Sequence, residues 1–192
     1  NLYGPNDNFD LERSHVLPAM IRKIHLAHCL KQGDWDAICK DLNQRPVEGI
    51  DGNSSKEDIL AILAKYGISN SEVKLWATGT PLREFLWSEE MADASIFVME
   101  HVAFKDTYKQ GDKDIRNCHI NIGTGKEISI RELAELIVST VGYQGQLTFD
   151  STKPDGTMRK LTDPSKLHAL GWHHKVEIEE GVQRMYNWYL GR

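Results

Sequence analysis

Arg83 follows Trp76 across the stretch "WATGTPLR", so an indole and a guanidinium are separated by a turn. Such a pair can stack on a nucleobase and fork onto a phosphate, because the planar guanidinium meets anionic oxygens two at a time. Lys23, Arg159 and Lys160 are the other basic residues expected near loop tips. Scattered in this way, each also fits an ordinary solvated charge. His15 lies between a turn-rich opening, "NLYGPNDNFDLERS", and the start of a helical pattern, and no apolar periodicity accounts for it. An imidazole there could exchange protons near neutral pH, or simply sit exposed in a loop. His25 and His28 fall three apart with Cys29 beside them. A third metal ligand at workable spacing is missing, so both are expected on the surface or rim. His173-His174 follow Trp172 in a turn and read as loop residues. "NIGTGKEISI" places two glycines between a strand and a helix, but the GxGxxG and GxxxxGK[ST] spacings are both absent. A tight strand-to-helix turn is therefore expected rather than a phosphate cradle. The 192 residues carry no dinucleotide fingerprint of their own.

The elements that must hold these residues alternate in type. "VLPAMIRKIHLAHCLKQ" carries an apolar helical stripe at Leu17, Ile21, Ile24 and Ala27, with Pro18 tolerable in the first turn. "DWDAICKDLNQ" reads as a short helix capped by Asp34, with Trp35, Ile38 and Leu42 inward. "SSKEDILAILAKYG" pairs Ser54 with Glu57 as a capping box and offers Gly67 as a stop. With the Pro/Gly/Asp linker between them, these make residues 31–72 a small helical insertion on a larger scaffold. Covering a cleft, mediating assembly and decorating the surface are all open roles for it. "EVKLW", "LREFLW", "CHINI" and "QLTFD" read as short strands. Ser88 is expected to cap "EEMADASIFVMEHVA"; Ser129 and Glu132 form a capping box for a helix closed by Gly142. Asp163-Pro164 opens a short helix, and "EIEEGVQRMYNWYLG" is an amphipathic closing one. Strands interleaved with helices predict an α/β fold.

Composition narrows the class further. With 40% hydrophobic and 27% charged residues, the chain reads as one soluble domain, or one with an added subdomain. No window reaches the roughly 18 consecutive apolar residues of a membrane span. A net charge of −5 supplies no global basic field for nucleic acid. Three cysteines, Cys29, Cys39 and Cys118, at wide irregular spacing form neither a disulfide framework nor a zinc pattern, so reduced thiols in the cytoplasm are expected.

Four pieces in order, "NLYGPNDNFD…SHVLPAMI", "WATGTPLREFLWSEEMADASIFVME", "HINIGTGKEISIRELAELI" and "FDSTKPDGTMRKLTD", resemble the C-terminal part of the GDP-L-fucose synthase family. That family of epimerase/reductases belongs to the extended short-chain dehydrogenase/reductase superfamily. "NLYGP" and "REFL" are common across the superfamily; "NDNF…SHVLP" and "KPDGTMRKL" are the specific pieces. The resemblance covers nearly all the chain outside about residues 31–72.

Chemistry in two steps is what the resemblance implies. Epimerisation at C3 and C5 of a GDP-linked 4-keto sugar comes first, and reduction of the C4 ketone by NADPH follows. His15 matches the family's proton-donating histidine, which also lies near the nicotinamide. Asn1 and Leu2 match backbone positions at the nicotinamide end of NADP. Lys23, Trp76, Arg83, Asp155 and Lys160 match GDP-sugar contacts. Lys23 stands where some relatives have arginine, and Ala77 where relatives have glycine. The resemblance further implies a C-terminal substrate-binding portion with short mixed strands and helices. On that reading "NLYGP" is a seam, and the Rossmann part with its glycine-rich loop, Ser-Tyr-Lys triad and epimerising cysteine precedes residue 1. The chain alone is then expected to be inactive, the whole enzyme a homodimer. The helix after Ser88 is expected to show apolar surface that favours self-association. Another extended nucleotide-sugar epimerase or dehydratase, and a non-catalytic GDP-sugar-binding module, are the rival readings.

Overall fold

The computed structural model describes residues 1–109, 111 and 114–191. After strand β1 (Leu2–Tyr3) the opening loop leads into α1 (Val16–Gln32). Pro18 sits in the first turn of α1, where a missing N–H costs no helical hydrogen bond. Gly33, at φ 71°, ends it by turning its N–H back to the carbonyls of Cys29 and Leu30. Leu17, Ile21, Ile24, Leu26 and Ala27 are almost wholly buried. α1 is therefore a central helix rather than a surface one.

Residues 31–72, expected as an insertion, form two helices, α2 (Trp35–Gln44) and α3 (Lys56–Lys65). Asp34 caps α2 by accepting the Ala37 N–H at 3.0 Å. The cap of α3 is Ser55, one residue later than expected: its Oγ accepts the Asp58 N–H at 3.1 Å. Ser54 instead holds the preceding turn, bonded to Asp51. Ile38, Leu42, Ile59 and Leu63 join the same hydrophobic core as α1, so these two helices share one core with the rest of the chain. A buried polar network fastens α2. Arg22, fully enclosed, donates to Asp41 Oδ2 at 2.8 Å, to the Phe9 carbonyl at 3.2 Å and to the Arg45 carbonyl at 2.5 Å. The Tyr189 hydroxyl donates to the other oxygen of Asp41.

β2 (Glu72–Trp76) leads on to β3 (Leu82–Arg83), β4 (Leu86–Trp87), α4 (Ser88–His101), β5 (Ile128–Ser129) and α5 (Ile130–Val141). β6 (Gln146–Asp150), β7 (Arg159–Lys160), α6 (Ser165–Ala169) and α7 (Ile178–Leu190) complete the order. β2 pairs with β6 in parallel along five residues, and β1 pairs with β4 in parallel. β3 lies between β5, antiparallel, and β7, parallel.

"LREFLW" is thus two strands, not one: the chain leaves one sheet at Arg83 and joins another at Leu86. "CHINI" forms no strand. The Lys166 ammonium bonds the His119 carbonyl within it and the Thr107 and Asn117 carbonyls before it, while Ile120 and Ile122 pack on Leu86, Ala94, Leu167 and Trp172. Ser88 is the first helical residue of α4 rather than its cap; Trp87 holds the cap position without a side-chain bond. The capping box of Ser129 with Glu132 and the left-handed Gly142 frame α5 as expected. Ile96 and Met99 of α4 are 55% and 83% exposed, the bare apolar surface anticipated for this helix. Among the described residues, no helix is long and apolar enough to cross a membrane.

Candidate functional site

His15 occupies the N-cap position of α1, exposed, with its carbonyl accepting the Ala19 N–H at 3.1 Å. The loop that delivers it is braced from two sides. Asp10 Oδ1 accepts the Glu12 and Arg13 N–H groups, and Arg22 holds the Phe9 carbonyl. Ser14 and Val16, on either side of His15, line a cavity of about 260 Å³ together with Met20, Lys23, Leu75 and Trp76.

Lys23 is not at a loop tip. It projects from the middle of α1, is 7% exposed, and has no ion-pair partner among the described residues. Its ammonium lies 5.9 Å from the centre of the Trp76 ring, and burial pulls its pKa down to about 8. A lysine buried without an anion is costly to keep protonated, so an anionic or acceptor-rich ligand beside it would be held strongly. Trp76 ends β2 and is 66% exposed. The Lys153 ammonium also lies 5.9 Å from its ring. Ala77 follows at φ 69°, a left-handed backbone that favours glycine.

Asp155 ties the loop after β6 to the turn after β2. Its two oxygens accept the Thr78 N–H at 3.0 Å and the Thr78 hydroxyl at 2.8 Å. The next residue, Gly156, packs against the Arg83 guanidinium: a Cβ there would sit 3.4 Å from Nη2. Arg83 and Lys160 are register partners on parallel β3 and β7, so both side chains leave the same face of the sheet. Neither has a carboxylate partner among the described residues, whereas Arg159, on the other face, is bonded to Glu127 at 2.8 Å. Trp76, Asp155, Arg83 and Lys160 are thereby gathered along one segment, residues 150–160. The Asn1 side chain reaches the same place by donating to the Glu84 carbonyl at 2.9 Å, and Leu2 pairs with Leu86.

Glu84 was invisible to sequence patterns. It is 5% exposed, and its Oε1 accepts the N–H groups of Thr124 (2.6 Å) and Gly125 (2.8 Å), while Oε2 accepts that of Thr162 (2.9 Å). Burial alone would raise its pKa; the hydrogen bonds from Thr162, Gly125 and Thr124 outweigh burial and hold it below the ordinary value. The "GTG" turn therefore cradles the chain's own carboxylate, not a phosphate. Among the described residues, the glycine turn that precedes α5 is thus filled by this carboxylate and leaves no cradle for a dinucleotide phosphate there.

The histidine readings also change. His25 is a core residue, 8% exposed, with Nδ1 3.1 Å from the Tyr186 hydroxyl and Nε2 3.5 Å from Cys29 Sγ. A helix buried on nearly every side leaves no rim for it. Among the described residues, no group of three or more His, Cys, Asp or Glu could hold a metal ion.

Residues 46–123 match the NAD dependent epimerase/dehydratase family. Over its whole length the chain superposes on a GDP-6-OMe-4-keto-L-xylo-heptose reductase from Campylobacter jejuni, with TM-score 0.87 and 42% identity, covering 52% of that protein. This is an NAD-dependent epimerase/dehydratase fold. A GDP-D-glycero-L-gluco-heptose synthase from Campylobacter jejuni, solved in the presence of NADPH, gives TM-score 0.84 and 41% identity, with 51% of that chain covered. GDP-L-fucose synthase 1 of Arabidopsis thaliana is 40% identical over 190 residues, which are 99% of this chain and 43% of the plant enzyme. The chain thus spans about half the length of the relatives it matches, and the resemblance to GDP-L-fucose synthase holds across all of that span.

Proposed function

We propose that these residues form the GDP-sugar-binding and proton-donating part of a GDP-L-fucose synthase, an NADPH-dependent 3,5-epimerase and 4-reductase. The observation that carries this reading is the placement of unpaired cations. Lys23 is buried beside Trp76, and Arg83 stands with Lys160 on one sheet face, at either side of a single loop. Trp76 walls the guanine, and Arg83 and Lys160 take the diphosphate, which carries most of the ligand's charge. Asp155 sets the loop between them.

The 4-ketone acidifies the C–H bonds at C3 and C5, and inversion requires a proton to return on the face opposite to its removal. His15 delivers that proton from the start of α1, where its exposure lets the imidazole recharge from solvent. When bound, NADPH supplies the hydride for C4, its nicotinamide end meeting Asn1, Leu2 and His15. The residues that hold the rest of the dinucleotide, the proton donor to the C4 oxygen and the thiol that pairs with His15 lie outside residues 1–192. On this reading residues 1–192 alone do not oxidise NADPH. The full enzyme is a homodimer, consistent with the bare apolar surface of α4, and works in the cytoplasm, consistent with three free cysteines.

The test is inversion at C3 and C5 by the full enzyme in deuterium oxide, read as deuterium incorporated on the newly set face. His15→Gln should abolish it while GDP binding persists; unchanged incorporation refutes the role of His15. A second reading concerns the sugar alone. The heptose reductase matches at TM-score 0.87 and 42% identity, so a GDP-linked 4-keto heptose is a substrate to set against the 6-deoxyhexose. Comparing kcat/KM for the two sugars decides. Turnover confined to UDP- or dTDP-sugars would remove both, and GDP-sugar binding without any proton exchange would leave a non-catalytic binding module.

A further inference from the structure

We propose that Glu84 is a positioning residue for the diphosphate of the GDP-sugar, its buried carboxylate fixing the strands that present Arg83 and Lys160. The inference rests on the GDP-sugar reading above. β3 and β7 are two residues long each, so their own ladder is too short to hold two cations side by side against their repulsion. Glu84 follows Arg83 and turns to the opposite side of the sheet, into the interior. From there it occupies none of the donors of Arg83 or Lys160, which stay open to a ligand.

The carboxylate also joins the segments physically. Thr124 and Gly125 donate from the turn before β5, Thr162 donates from two residues beyond Lys160, and the Asn1 side chain donates to the Glu84 carbonyl. Four stretches far apart in sequence meet at one residue, and three of them carry Asn1, Arg83 or Lys160. A nest of loop amides is an anion receptor by construction. Here the anion is built in, so the nest serves as scaffold and the phosphates bind on the other face. The fit leaves no slack: a Cβ on Gly123 would lie 2.5 Å from Glu84 Oε1. A glutamine at 84 has one acceptor oxygen for three N–H groups and turns its own NH₂ on the remainder.

The experiment compares guanosine with GDP, binding read from tryptophan fluorescence, in the unsubstituted protein, Glu84→Gln and Gly123→Ala. Guanosine reports the Trp76 end, which is held by β2 and α1 and does not touch Glu84. GDP adds the diphosphate. Both variants should keep guanosine affinity and lose GDP affinity about tenfold or more, the value of a lost charge-assisted contact. In the full enzyme the same change should raise KM for the GDP-sugar and spare kcat. Should Glu84→Gln fail to fold, Gly123→Ala alone carries the test, since it displaces the carboxylate and leaves the charge in place. Unchanged GDP affinity, or equal losses for guanosine and GDP, overturns the proposal. If the unsubstituted protein binds neither, the nucleotide-sugar reading fails first and this inference with it.

Discussion

Replacing Lys23 with methionine should make the free protein more stable and the nucleotide site weaker. Lys23 has no carboxylate to offset its burial, and its pKa drops from 10.5 to about 8. A shift of that size corresponds to roughly 3 kcal/mol between protonation states, an upper figure because part of the charge relaxes toward the cavity. The sign follows from proton counting. Between pH 8 and 10.5 the unfolded lysine still holds its proton and the folded one has released it, so stability rises with pH across that window. Below pH 8 both forms are protonated and the folded state bears the whole cost. Urea unfolding of the two proteins at about pH 7 and about pH 10 reads this directly. Lys23→Met should gain about 2–3 kcal/mol near neutral pH and lose most of that advantage at the alkaline end. All other titrating groups are shared, so the difference isolates Lys23. GDP binding should move oppositely, with the unsubstituted protein taking up a proton on binding at about pH 8–9 and the variant binding more weakly. Equal stabilities near neutral pH, or a gap that does not change with pH, would refute the idea that an unpaired charge is kept there for a ligand.

Ala77→Gly should stabilise the protein by about 1 kcal/mol in the same urea assay, because the left-handed φ of 69° strains a Cβ; a loss would show that the turn tolerates alanine without strain. Ser55→Ala should cost about 1 kcal/mol by removing the α3 cap, whereas Ser54→Ala should cost less, through its turn bond alone. Asp41→Asn should cost about 3 kcal/mol or more, since it leaves the Arg22 guanidinium buried without its counter-charge, and a near-neutral result would contradict the network. Adding GDP should quench tryptophan fluorescence, and Trp76→Ala should abolish the change; an identical response in both proteins would move the guanine elsewhere.

Local signals along the chain were enough to place most helices. The α1 stripe, the Asp34 cap, the Ser129–Glu132 box and the stop at Gly142 all act within a turn or so of helix, and each formed where its pattern lies. Periodicity failed where a strand's partner decides. "LREFLW" alternates like one strand but changes sheets at Glu84, and "CHINI" reads as a strand but pairs with no neighbour: Lys166 bonds its His119 carbonyl and its two isoleucines pack on a small side cluster. Residue type and position likewise pointed to Trp76 with Arg83, to His15 and to the basic Lys23 and Lys160, and resemblance added Asn1, Leu2 and Asp155 and gave all of them roles. What they could not convey was burial. Lys23 looked like a surface charge and His25 like a rim imidazole, because a helix embedded on nearly all sides has no polar face for sequence to reveal.

By itself, then, the sequence determined most of the helices, the α/β class and a short roster of chemically able side chains. Only the tertiary structure decided which of those cations stay unpaired, and that the glycine turn would enclose Glu84 instead of a ligand. The reason is physical: propensity and capping are settled by neighbours in the chain, whereas desolvation and charge pairing are settled by residues 40 to 78 positions away, as Glu84 is from Thr124 and Thr162.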